Sequence, residues 1–162
     1  MDERRVRNPG AAFLIAQLGG HGARLWVSRL AKEGLDAREV MLFRHVALNA
    51  GRTQREVASA IGLPASRMVT LVDRLEARGW LERRPRISDR RMNALFLTRQ
   101  GRTALTRVMR LSAAHEIEMT RALAAGEREE LIRLLGRVAA DQGMVEGVHP
   151  GFDDPMADQT QD

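Results

Sequence analysis

Five arginines fall within nine residues: Arg83, Arg84, Arg86, Arg90 and Arg91. A guanidinium carries a permanent charge and a planar fork of donors, so such a cluster suits a phosphate backbone or the O6/N7 edge of guanine. A second set lies upstream, Ser66, Arg67, Val69 and Thr70, with Arg74 and Arg78 further along. Arg67 can fork onto guanine, the hydroxyls of Ser66 and Thr70 can bond bases or phosphate, and Val69 can touch a thymine methyl. Arg74 and Arg78 are better placed for phosphate or for internal ion pairs. Thr53, Gln54 and Arg55 form a third set at the start of a short helix, where backbone N–H groups favour a phosphate. Alone, the arginine run reads as a solvated charged loop; directly after the other two sets it reads as part of a polyanion site.

The elements that must position these groups follow from capping signals and apolar spacing. Thr53 with Glu56 three residues on fits a capping box, Val57, Ala58 and Ile61 supply an inward face, and Gly62 stops the helix. Pro64 opens a second helix, whose buried set is Met68, Leu71, Val72 and Leu75 and which runs to Arg78 before Gly79. A capped short helix, a glycine turn and an amphipathic second helix make a helix-turn-helix, a unit that can lay its second helix in a major groove about 12 Å wide. Residues 80–84 and 94–97 read as a short strand and its return, joined by a polar, turn-rich basic tip. Arginine at such a tip fits the narrow minor groove of A/T-rich sequence.

Outside this centre, residues 10–31 show helical spacing with an expected kink or break at Gly19, Gly20 and Gly22. Asp36 begins the next helix, with Glu39 in capping-box position. A long helix is expected from about 99 to 123, broken at Gly126, then a last helix over 127–142 with Glu127, Glu129 and Glu130 in its first turn. The chain from Gly143 is expected to be a loose tail.

Charge is distributed unevenly. Residues 52–107 carry 13 basic and 5 acidic side chains, net +8, whereas residues 108–162 carry 5 basic and 11 acidic, net −6, within a chain of formal charge +5. A basic centre between less basic ends marks a local polyanion site. Lys32 is the only lysine; a codon bias toward arginine could account for that choice, but not for the clustering. There is no cysteine, which excludes disulfides, thiolate–zinc sites and a cysteine peroxide switch. The longest mostly apolar run, residues 10–20, is too short for a membrane span of about 20 residues, and a cytoplasmic location is expected.

The run Leu71-Val72-Asp73-Arg74-Leu75-Glu76-Ala77-Arg78-Gly79-Trp80-Leu81-Glu82-Arg83, with Asp89, Arg91, Leu97, Thr98 and Gly101 meeting a D-x-R and L-T-x-x-G pattern, resembles the MarR family of bacterial transcription regulators. The resemblance implies a mainly α fold with a small β-hairpin wing: a winged helix-turn-helix over residues 36–98, with helical dimerisation regions at 10–35 and 99–142 and a tail over 143–162. It implies a homodimer that binds double-stranded DNA, Asp89 bracing the wing through Arg91, and Arg90 or Arg86 reaching the minor groove. Many members carry a small hydroxylated residue where Arg67 stands, so target bases do not transfer. The resemblance also implies release by a small, often aromatic and anionic effector. Trp26, Arg29, Met41, His45 and Met109 are candidate lining residues because they mix apolar surface with a few polar groups; plain core packing is the competing role for each.

Other chemistries find less in the chain. His21, His45, His115 and His149 include no pair at i, i+4 spacing, though Glu116 or Glu118 could join His115 at a metal. No metal or cofactor is expected. There is no nucleophile elbow, phosphate-binding glycine loop or HExxH motif, and Asp89 with Glu82 would lie on an exposed basic loop with nothing to raise either pKa, so no enzyme is expected. The readings that stay open beside a specific repressor are an architectural, non-specific DNA-binding protein, a metal-responsive regulator, and a winged helix used for protein contact.

Overall fold

The capping box read at Thr53 forms as expected in the computed structural model, which describes residues 10–86, 91–145 and 147–149. The described helices are α1 (Ala11–Ala31), α2 (Ala37–Leu48), α3 (Gln54–Ile61), α4 (Ala65–Ala77), α5 (Arg99–Met119) and α6 (Ala125–Asp141). Strands β1 (Leu81–Pro85) and β2 (Asn93–Leu97) lie between α4 and α5. They pair antiparallel, Leu81 facing Leu97 and Pro85 facing Asn93.

The chain divides into two units, residues 1–36 and 37–162. The described part of the first is dominated by α1. This helix runs unbroken through Gly19, Gly20 and Gly22, where a kink or break was expected. Each helical glycine costs only about 1 kcal/mol relative to alanine, and the apolar and alanine-rich turns on both sides outweigh that local penalty. Phe13, Leu14, Ile15 and Leu18 on α1 are exposed.

The second unit is built around one apolar cluster. Met41, Leu42, Phe43 and Val46 of α2, Val57, Ala58 and Ile61 of α3, and Met68, Leu71, Val72 and Leu75 of α4 close on Leu63, Leu81 and Leu95. Trp80 packs on this cluster, stacked against Phe43 with ring centroids 5.5 Å apart. Arg78 lies over the Trp80 ring and pairs with the buried Glu39 carboxylate at 3.4 Å. The helix-turn-helix corner is made by Gly62, whose φ of 73° lies in the left-handed region where a side chain would be strained. The segment before α3 extends the sheet: Leu95 N–H donates to the Arg52 carbonyl, and Gly51 N–H to the Leu95 carbonyl.

The turn between α5 and α6 differs from the expected break at Gly126. α5 ends at Met119, and α6 has already begun at Ala125. The local signal is Glu127, whose carboxylate accepts from the Ala124 N–H at 2.8 Å, so the capping position precedes Gly126. Beyond α6, Val148 packs against the apolar cluster, so the described residues after Gly143 are not simply a loose end.

Candidate nucleic-acid interface

Helix α4 separates its two faces cleanly. Met68, Leu71, Val72 and Leu75 are buried, while Ser66, Val69, Thr70 and Arg74 are exposed and Arg67 is half-buried. The Thr70 hydroxyl donates to the Ser66 carbonyl at 3.3 Å, one turn back. The predicted contact residues of α4 therefore share the face turned away from the core. Beside them, Gln54, Arg55, Ala58, Ala65, Met68 and Val69 line a cavity of about 350 Å³ where α3 meets the start of α4.

The N-terminus of α3 is more deeply committed to structure than the sequence suggests. Thr53 is buried; its hydroxyl donates to Glu56 Oε2 at 2.9 Å and accepts from Glu56 N–H at 3.2 Å, while its own N–H donates to Glu56 Oε2 at 2.6 Å. These bonds, from the Thr53 backbone first and its hydroxyl second, hold the Glu56 carboxyl below its ordinary pKa, with the nearby Arg86 charge adding to the effect. Arg55 is exposed, one residue on. Gln54 is half-buried, and its Oε1 accepts from Arg83 Nη2 at 3.3 Å.

Several arginines of the basic centre meet internal carboxylates. Arg86, at the base of the wing, pairs with Glu56 at 3.2 Å. Arg84 pairs with Glu82 at 2.5 Å and lies over the Phe96 ring. Arg83 pairs with Glu76 and, at 2.6 Å, with Asp73, both on α4. Arg91 is described and exposed. Asp89 and Arg90 lie outside the described residues, and with them the expected Asp89–Arg91 brace.

The L-T-x-x-G stretch has a packing role that spacing alone did not show. The Thr98 hydroxyl accepts from Gly101 N–H at 2.9 Å, capping α5, and donates to the Gly79 carbonyl at 2.5 Å. Thr98 N–H donates to the Trp80 carbonyl at 3.1 Å. Gly101 is buried against that same peptide: a Cβ there would stand 3.0 Å from the Trp80 carbonyl carbon and 3.2 Å from its Cα. Thr98 and Gly101 thus fasten α5 to the junction of α4 and β1.

The candidate effector residues are distributed over both units. Trp26 and Arg29 are half-buried on α1. Met41 is buried in the core cluster, His45 is half-buried near the end of α2, and Met109 is exposed on α5. Burial, with the Arg52 charge second, lowers the His45 pKa. Among the described residues, no group of three or more His, Cys, Asp or Glu is placed to hold a metal ion. No described helix is long and apolar enough to cross a membrane.

Residues 33–92 match the family model described as MarR family. The transcriptional regulator PecS of Dickeya dadantii (strain 3937) is 32% identical over 83 residues, 51% of this chain and 50% of PecS. The chain thus spans about half the length of that relative. Wild-type apo MarR from E. coli superposes with a TM-score of 0.71 at 24% identity, covering 81% of this chain and 97% of that one, which is a likeness of fold. The repressor CouR, solved bound to a 23-mer DNA duplex, gives a TM-score of 0.68 at 28% identity over 80% of this chain and 92% of CouR. CouR from Rhodococcus jostii RHA1 bound to p-coumaroyl-CoA gives 0.64 at 28% identity over 79% and 90%. The family match over the helix-turn-helix and the first wing strand, the curated relative and the shared architecture agree: the chain is similar to transcription regulators of the MarR family and shares their fold.

Proposed function

We propose that this chain is a sequence-specific, DNA-binding transcription repressor that binds a pseudo-palindromic operator as a homodimer and is released by a small aromatic or anionic ligand. The observation that carries the DNA reading is the outward face of α4, where Ser66, Arg67, Val69 and Thr70 stand opposite the buried Met68, Leu71, Val72 and Leu75. That arrangement lets Arg67 fork onto guanine and Val69 meet a thymine methyl, while Gln54, Arg55 and Arg74 meet phosphate. Arg90 or Arg86 reaches the minor groove, Arg86 by exchanging Glu56 for phosphate, and Arg91 adds a contact to the DNA backbone. Thr53 supports the interface through the cap it forms and the N–H groups of the helix it opens. Asp89 braces the wing through Arg91. The DNA-bound CouR structure supports this reading.

The homodimer accounts for apolar surface that a single chain leaves in water. Ile132, Leu134, Leu135 and Val138 of α6, Ile117 of α5, and Phe13, Leu14, Ile15 and Leu18 of α1 are all exposed. Large apolar side chains left in water on each of these helices mark surfaces that a partner covers. The regions 10–35 and 99–142 are therefore the dimerisation segments, and the reading head is 36–98. The effector reading draws on Trp26, Arg29, Met41, His45 and Met109 and on the p-coumaroyl-CoA complex of CouR.

Selection of bound sequences from a random duplex pool tests function and symmetry together. The expected result is one pseudo-palindrome, with half-sites about one helical turn apart, bound ~10³-fold or more above shuffled DNA. Equal affinity for shuffled DNA refutes the regulator reading and supports an architectural role. Titration with phenolic acids and their thioesters tests the effector; if none loosens the complex or shifts the melting temperature, that part fails.

A further inference from the structure

We propose that Arg83 is a positioning residue for DNA binding: it fixes the Gln54 amide with its NH2 group outward, toward the phosphate backbone, and cancels the carboxylates of the reading helix. This rests on the DNA-binding reading above. Arg83 belongs to the arginine-rich stretch, yet its side chain is only 25% exposed and is turned onto the protein. Its Nη1 pairs with Glu76, its Nη2 reaches Asp73 Oδ1 at 2.6 Å and Gln54 Oε1 at 3.3 Å, and its backbone N–H donates to Glu76 Oε1 at 3.1 Å. One guanidinium therefore joins the wing strand β1, the reading helix α4 and the first residue of α3.

The chemistry of the pair sets the direction of the amide. A guanidinium has donors and no acceptor, so only the carbonyl oxygen of Gln54 can face it. The amide NH2, with two donors, is then left at the other end. Rotated the other way, Gln54 would present a carbonyl oxygen to phosphate and repel it. Asp73 is 57% exposed on α4, three residues before Glu76. Without a counter-ion these carboxylates would oppose DNA along the helix that reads it. Lysine at position 83 keeps the charge near Asp73 and Glu76 but lacks the planar fork that reaches all three partners at once.

The test compares Arg83→Lys, Gln54→Ala and the double variant on the selected operator at fixed salt. Loss of one hydrogen bond gives an expected weakening of about 3–10-fold for each single variant. The double variant should be no weaker than Gln54→Ala, because Arg83 acts through Gln54. In free protein, the Gln54 side-chain NH2 resonances should move in Arg83→Lys, with the melting temperature near that of wild type. Additive losses, wild-type affinity in Arg83→Lys, or an unmoved Gln54 amide overturn the proposal. If Arg83→Lys does not fold, the wild-type Gln54 NH2 protons decide: they must shift when operator is added, and an unchanged signal overturns it. Absence of any sequence-selective binding by wild type refutes the regulator reading itself, whereas normal wild-type binding with additive losses refutes only the positioning role.

Discussion

Gly101→Ala is expected to destabilise the protein even though it improves helix propensity. The added Cβ would stand 3.0 Å from the Trp80 carbonyl carbon, 3.2 Å from its Cα and closer still to its oxygen, and all three are backbone atoms. No side-chain rotation relieves that, so α5 must move away from the junction of α4 and β1. Overpacking of this kind costs about 1–3 kcal/mol. The movement also strains the Thr98 cap, whose hydroxyl bonds both Gly101 N–H and the Gly79 carbonyl; loss of such a cap costs about 1 kcal/mol. Alanine in a helix returns about 1 kcal/mol. The net is a loss of about 2 kcal/mol, which at roughly 2–4 °C per kcal/mol for a chain of this size lowers the melting temperature by roughly 4–8 °C. Thermal and urea unfolding should be run at matched protein concentration, because the stability of the proposed homodimer would depend on it. Gly19→Ala is the control: nothing lies within 4 Å of its added Cβ, so it should gain about 0.5–1 kcal/mol. A Gly101→Ala protein that melts at or above wild type would show that α5 does not depend on this close approach.

Thr53→Ala removes the cap of α3 and should cost about 0.5–2 kcal/mol in urea unfolding. Glu56 has a lowered folded-state pKa. Its contribution is therefore complete above the unfolded value of about 4.3 and disappears as pH falls through the lower folded value; Glu56→Gln should flatten acid unfolding in that window. His45 is also lowered, so the unfolded chain takes up its proton first, and stability falls as pH drops below about 6.5. His45→Gln should reduce that slope. Arg67→Ala should relax base preference at one position of the selected motif, by about 1–3 kcal/mol of discrimination. Arg91→Ala should weaken binding to all sequences alike and reduce the salt slope by about one.

The parts of the fold legible in the sequence are those whose causes are local. Thr53 and Glu56 lie three residues apart, and Gly62 ends the helix they open, so the spacing alone specifies α3 and the turn. The buried set of α4 follows from helical periodicity in the same way, and its outward face from what remains. The parts that were not legible depend on distant partners. Arg83 meets Asp73, Glu76 and Gln54 at separations of 10, 7 and 29 residues, and only the folded chain brings β1, α4 and α3 together. The one available signal was that Asp73 and Glu76 make an acidic edge on a helix otherwise suited to DNA. Gly101 is similar: the motif placed it, but the Trp80 peptide it admits is supplied by another element. Gly126 lies inside α6 and does not end a helix, because the Glu127 carboxylate accepts from the Ala124 N–H and starts α6 earlier.

These internal pairs change what the basic centre predicts about salt dependence. Residues 52–107 contain thirteen arginines, and a naive count would let each neutralise a phosphate. Four of them, Arg78, Arg83, Arg84 and Arg86, already face Glu39, Asp73 with Glu76, Glu82 and Glu56. Thirteen less these four leaves at most nine for phosphate. An arginine that exchanges its carboxylate for a phosphate releases a counterion from the DNA, but the carboxylate left behind gathers one in turn. The pairs therefore contribute little net release even where, as proposed for Arg86, the side chain ends on DNA. With log K falling by about 0.9 per phosphate neutralised, the slope per protomer should stay below ~8 and fall well short of the ~12 that all thirteen would give. Anisotropy titrations of the selected operator over a range of salt measure it directly. A slope near the larger figure would mean that the internal pairs open on binding and that their carboxylates are themselves left without counter-ions.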